Sequence, residues 1–214
     1  MFVLRDLGDT LNQITSGFYS ILSSPLLYET FQYLMGAKKG RETLARDYIK
    51  AEPGMKVLDI GCGTAAILEH LPAVNYWGFD SSQAYIDMAR EKYGARGKFF
   101  CQQVEEQALE NLPKFDRVLA LGVLHHLDDK SAQSLIDLAF SALVSGGGLI
   151  TIDPCYLHGQ NPIARFLIKR DRGQNVRDRA GYEALITSRF INANVSVQHK
   201  SWFPYTHCVM AGAR

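Results

Sequence analysis

An apolar run, Val57-Leu58-Asp59-Ile60, leads straight into Gly61-Cys62-Gly63-Thr64-Ala65-Ala66, and a second apolar run ends on Asp80. No other stretch constrains the chain as much. It reads as strand, glycine turn and helix, followed by a strand whose last residue is a carboxylate. Asp80 stands 21 positions after Asp59, near the roughly 20-residue offset at which an acidic side chain meets a ribose in a βαβ nucleotide site. Gly61 and Gly63 let the backbone pass close beneath a ligand, because no Cβ blocks the approach. The amides opening the helix at Thr64 lack intrahelical partners and favour an anionic group. A ligand carrying a nucleoside is expected here.

The same glycines satisfy G-x-G-x-x-G/A, which leaves an NAD-dependent oxidoreductase open. Asp59 helps to separate the two cofactor classes. A buried parallel strand is normally apolar throughout, and a carboxylate inside one is unfavourable without a partner. A ligand ammonium would be such a partner. S-adenosylmethionine carries an ammonium, a carboxylate and a ribose diol, whereas NAD carries a pyrophosphate and no ammonium.

On these residues the chain resembles the class I S-adenosylmethionine-dependent methyltransferases. Val57 to Thr64 looks like their first motif, and Trp77-Gly78-Phe79-Asp80-Ser81-Ser82 like their second. Phe115 to Leu127, ending Leu124-His125-His126-Leu127, is similar to the fourth, and Leu143 to Ile150, with Gly146-Gly147-Gly148, to the turn and strand after it. The motifs fall in the family's order across about residues 55 to 155. Ala65 departs from the pattern, standing where the family often has a third glycine, and a modest change in loop geometry is expected. The resemblance implies a Rossmann-like α/β fold. Its sheet would be seven-stranded and mostly parallel with helices on both faces, the last strand antiparallel and hooked between the fifth and sixth.

Alternation supports that architecture independently. Strands are expected at Lys56 to Ile60, Tyr76 to Asp80, Phe99 to Cys101, Arg117 to Leu121 and Leu149 to Ile152, with a first helix from Ala65 to Leu71. Ser81 or Ser82 can cap a helix carrying Ile86, Ala89, Arg90 and Tyr93. Leu135, Leu138, Ala139, Ala142 and Leu143 form a helical stripe. Before the first strand, Leu4 to Leu22, Leu27 to Leu34 and Arg41 to Lys50 read as three helices. Pro162 to Lys169 and Tyr182 to Arg189 read as helices, Ile191 to Gln198 as a half-buried strand, and His207 to Ala211 as the closing strand. One domain, 1–214, is expected: a helical extension or lid (1–54), a cofactor core (55–155) and an acceptor side (156–214).

A net charge of +1 gives no protein-wide attraction to nucleic acid or membrane. No apolar run approaches the roughly 20 residues of a membrane span. Cys62, Cys101, Cys155 and Cys208 form no C-x-x-C pair and read as reduced thiols of a cytoplasmic protein. The oligomeric state is not written in the sequence.

The resemblance assigns cofactor contacts to Asp59, Gly61, Cys62, Gly63, Asp80, Ser81, Leu121 and Gly122. Gln103 and Val104 would meet the adenine, although a glutamine stands where the family often has an acid. His125 and His126 are candidates for a general base, since imidazole titrates near neutrality. Tyr19 (or Tyr28), Asp153, Tyr156, Arg165 and Arg170 are candidates for the acceptor side. Arg165, Lys169, Arg170, Arg172, Arg177 and Arg179 read either as a solvated surface or as contacts to an anionic acceptor. Cys155 after Pro154 is a weak candidate nucleophile. Asp128 and Asp129 beside the histidines are explained as a helix cap, so no metal is expected.

The expected activity is methyl transfer from S-adenosylmethionine, leaving S-adenosylhomocysteine, to oxygen of a small molecule or saccharide. The stretch from Asp153 to Arg177, with Pro204-Tyr205-Thr206-His207, is loosely similar to bacterial family members encoded with surface-polysaccharide genes. The alternatives are an RNA or protein methyltransferase, an NAD-dependent oxidoreductase, and a binding module that holds the cofactor without using it.

Overall fold

The computed structural model describes residues 37–170, 173–199 and 205–214. Tyr19, Tyr28, Arg172 and the two helices expected before residue 37 lie outside the described residues. Helix α1 (Ala37–Leu44) runs into a π-helical turn, Ala45–Ile49, that ends on Lys50 in the left-handed region. The third expected helix is therefore present, begins earlier, and stops before Pro53.

Seven strands follow: β1 (Lys56–Ile60), β2 (Asn75–Asp80), β3 (Gly97–Cys101), β4 (Phe115–Leu121), β5 (Leu143–Pro154), β6 (Asn194–His199) and β7 (Thr206–Ala213). They form one sheet in the order β3-β2-β1-β4-β5-β7-β6. The five strands from β3 to β5 pair in parallel, whereas β7 is antiparallel to both of its neighbours, β5 and β6. The topology is the Rossmann-like one expected.

Side-chain alternation along the strands divides the core. Leu58, Val118, Leu149 and Met210 face one side, where helices α4 (Asp129–Ala142) and α6 (Arg179–Thr187) cover them. Val57, Leu119, Ile150 and Val209 face the other, beneath Leu44, Ile49 and helix α2 (Gln83–Tyr93). Period-two alternation in fully buried strands gives apolar residues to both faces. Removing a fully buried side chain such as Leu58 to alanine destabilises a core by about 2–5 kcal/mol. Helix α3 (Glu106–Glu110) is short, and α5 (Pro162–Lys169) has the bounds expected.

Four expectations need correction. No α-helix follows the glycine turn: Ala66–His70 is a five-residue 3-10 segment, because Ala65 enters the left-handed region at φ 55°. Strand β5 starts six residues before Leu149, since pairing with β4 continues across the glycines through a register shift between Phe115 and Arg117. On α4, Ala132 and Ile136 are buried and Leu135 only half-buried. Ile191 is exposed, because β6 begins only at Asn194.

Candidate active site

Strands β1, β2, β4 and β5 run parallel, so their C-terminal tips share one edge. The chain leaving β1 is tied to β2 through backbone: the amides of Gly61 and Cys62 both donate to the Phe79 carbonyl, at 2.8 and 2.9 Å. Gly61 has φ 72°, and a Cβ there would stand 2.6 Å from Val123 Cγ2, so glycine is required twice over. Gly63 has φ 53° and faces open space. Gly78 on β2 leaves room for the Cys62 sulfur, which a Cβ would meet at 2.8 Å.

Asp80 joins the two strand tips. Its Oδ2 accepts from the Gly63 amide at 2.9 Å, and its Oδ1 from the Ser82 amide at 2.8 Å. Ser82 in turn caps α2, accepting from the Tyr85 amide, while Ser81 is exposed. Each carboxylate oxygen has a second lone pair, so the group retains capacity for hydroxyl donors.

Asp59 is 1% exposed. Its Oδ2 accepts from the Tyr76 hydroxyl at 2.5 Å, whereas Oδ1 is buried with no hydrogen-bond partner among the described residues. Burial pushes its carboxyl up to about 7; the Tyr76 hydroxyl opposes this shift and the nearby Asp80 adds to it. Burial likewise raises the Cys62 thiol, helped by both carboxylates. An orphaned carboxylate oxygen beside a second carboxylate suits a cationic ligand group. Together with the space over Gly63, it fits the ammonium and ribose of S-adenosylmethionine better than a pyrophosphate. Cys101 ends β3, followed by exposed Gln103 and half-buried Val104 on the loop before α3. Leu121 ends β4, and the Gly122 amide donates to the Ile152 carbonyl.

A second cluster lies where β4 and β5 end. Leu124–His126 forms a 3-10 turn. The Asp153 carboxylate, 1% exposed, accepts from the His125 amide at 3.2 Å and lies 2.8 Å from His125 Nδ1. His125 is 5% exposed and its ring packs against the half-buried His126, with centroids 4.0 Å apart and the planes tilted by 39°. Asp153, expected beside an acceptor, is thus turned towards His125. Tyr156 is half-buried with the Arg165 guanidinium 5.4 Å from its ring centre, and Arg170 lies 4.5 Å over Phe166. Cys155 is fully buried and directs its thiol to the Tyr156 carbonyl, which closes it to an incoming substrate.

The structural roles of two residues in this cluster left no sign in the sequence. Arg177 is no solvated cation: it donates to the carbonyls of Leu124, Leu127 and Asn175 and to Asp129, clamping the histidine turn. Gly173 packs so tightly that an added Cβ would stand 1.9 Å from His125 Cδ2. Neither contact has a sequence signal, since both join segments about 50 residues apart. Asp128 caps α4 through the Ser131 amide. Among the described residues, no group of three His, Cys, Asp or Glu side chains is placed to hold a metal ion.

This sheet order, with a glycine turn after β1 and an acid at the tip of β2, defines a Rossmann-like methyltransferase fold. Residues 58–149 match the family model described as a methyltransferase domain. The chain is 33% identical over 101 residues to the ubiquinone biosynthesis O-methyltransferase of Colwellia psychrerythraea, covering 45% of this chain and 40% of that protein. It is also 33% identical over 100 residues to an uncharacterized Synechococcus protein, of which it spans 24%. The chain thus spans less than half the length of these two curated relatives. Among solved structures it resembles Haemonchus contortus phosphoethanolamine N-methyltransferase 2 bound to S-adenosylhomocysteine, with a TM-score of 0.70 at 14% identity, covering 91% of this chain and 58% of that one. The S-adenosylmethionine-dependent methyltransferase SibL gives a TM-score of 0.68 at 19% identity over 92% of this chain and 61% of that one. A methyltransferase domain is thus matched over residues 58–149, within a chain whose fold is shared with S-adenosylmethionine-dependent methyltransferases.

Proposed function

We propose that this protein transfers a methyl group from S-adenosylmethionine to an oxygen of a small-molecule or saccharide acceptor. The observation that carries the cofactor reading is Asp80, held between the Gly63 and Ser82 amides beside the orphaned Asp59 oxygen. Asp80 accepts from the ribose hydroxyls, Asp59 faces the methionyl ammonium, and Gly61, Cys62 and Gly63 pass beneath the ligand. Ser81 flanks the ribose, Gln103 and Val104 border the adenine, and Leu121 and Gly122 lie beside the methionyl chain.

The bound sulfonium supplies an already activated methyl, so the protein's main contribution is alignment, which can lower a barrier by about 7–11 kcal/mol. An oxygen acceptor must also lose a proton. His125 donates its Nδ1 proton to Asp153, which places the basic lone pair on Nε2; His126, packed against it, is the alternative base. Tyr156, Arg165 and Arg170 border the acceptor. The oxygen preference draws on the O-methyltransferase named above.

Calorimetric titration with S-adenosylmethionine, S-adenosylhomocysteine and NADH tests the cofactor. The first two bind and Asp80→Ala abolishes their binding; binding of NADH alone would overturn the reading. A labelled-methyl screen across small molecules, saccharides, RNA and protein then tests the acceptor.

A further inference from the structure

Among the described residues, helix α5 leaves large apolar side chains exposed. Ala164 and Ile168 are buried, four residues apart on the inward stripe. The opposite side carries Phe166, 53% exposed, with Ile163, 59% exposed, beside it. Exposed Arg165, Lys169 and Arg170 flank this crest, and no acidic residue occurs from 154 to 170. The helix is firmly started, by Asn161 accepting from the Ile163 amide and by Pro162 in the first turn. The chain reaches it directly after β5, from the strand edge that carries the candidate site.

We propose that α5 docks this protein reversibly on an anionic lipid bilayer, with Phe166 and Ile163 entering the headgroup boundary and Lys169 meeting lipid phosphates. Three features favour this occupant. The apolar surface is a convex crest, which suits a soft interface and not a concave peptide site. The charge carried on residues 162–170 is of one sign and complements an anionic leaflet, where each cation near the surface adds about fivefold in binding. In a symmetric dimer through this face, cations would face cations. No described helix is long and apolar enough to cross a membrane, so the contact is peripheral. With a net charge of only +1, the attraction comes from this local cluster. The proposal goes beyond methyl transfer and does not depend on it.

Co-sedimentation of the full chain with phosphatidylcholine vesicles, with and without phosphatidylglycerol, tests it. Binding is expected only with phosphatidylglycerol and falls as salt rises. Phe166→Glu lowers the partition coefficient at least tenfold, Ile163→Ser and Lys169→Glu each lower it several-fold, and S-adenosylmethionine affinity is unchanged in all three. The shared loss across three exposed positions guards against misfolding of any one variant, and circular dichroism checks each. Absence of binding to phosphatidylglycerol vesicles, or binding indifferent to Phe166→Glu, would overturn the proposal. So would a dimer in light scattering that Phe166→Glu disperses, since the crest would then meet a second copy.

Discussion

His125 Nδ1 lies 2.8 Å from Asp153 Oδ1, and both side chains are buried where β4 and β5 end. The same oxygen accepts from the His125 amide, so Asp153 fixes both the backbone turn and the ring. Asp153→Ala removes the acceptor for both donors and should lower unfolding free energy by about 1–3 kcal/mol in urea titrations. Asp153→Asn keeps an oxygen at that position and should recover most of the loss. Its initial rates on an identified acceptor should still fall and shift in pH, because an amide no longer enforces the Nδ1–H tautomer. Wild-type stability in Asp153→Ala would show that the pair holds nothing together.

Asp80 has two separable tasks. Its carboxylate orders the Gly63 and Ser82 amides, and it presents charge to ribose hydroxyls. Asp80→Asn weakens the charge assistance, and calorimetry should show S-adenosylmethionine affinity falling by roughly 10- to 100-fold. Asp80→Ala should also lower the urea midpoint, because both amides lose their acceptor. Equal affinities for Asn and wild type would place the ribose elsewhere.

The parallel core was legible because its strands are short apolar runs in a recognisable order, and because Asp59 and Asp80 are separated by a spacing that has a geometric meaning. Ala65 was not, since nothing in an alanine announces a left-handed φ; the expected helix became a 3-10 turn there. Arg177 sat among cations that look solvated, yet its main acceptors are backbone carbonyls, which residue patterns do not display. The link between His125 and Asp153 crosses from one strand end to the next. Each residue attracted notice alone, but only the register of β4 against β5 joins them.

Asp59 gives a pH signature with a definite sign. Its folded carboxyl titrates at about 7, above an unfolded value of about 3.9. Between those values the folded state holds the proton that the unfolded state releases. This contribution to stability is therefore fully present below about pH 4 and is lost as pH rises to about 7. Asp59→Asn removes the titration, so its stability advantage over the wild type should grow from pH 4 to 7 and then level off. A ligand ammonium favours the carboxylate, so S-adenosylmethionine should bind wild type with proton release and more tightly as pH rises through 7. Parallel pH profiles for Asp59→Asn and wild type would rule out this role for Asp59.

Gly173 and Gly63 should fail in opposite ways when given a methyl group. At Gly173 the added Cβ lies 1.9 Å from His125 Cδ2 and 2.7 Å from the His125 carbonyl oxygen, so the ring or the segment over it must move. Gly173→Ala should lower thermal stability and methyl transfer while S-adenosylmethionine affinity holds, because the glycine turn after β1 is untouched. At Gly63 the added Cβ meets no protein atom within 4 Å but points into the space assigned to the ligand. Left-handed backbone disfavours alanine there by about 1–2 kcal/mol. Gly63→Ala should therefore lose affinity well beyond its modest loss of stability. Thermal melts and calorimetry on the two variants measure both quantities, and a reversed pattern would exchange the places assigned to cofactor and base.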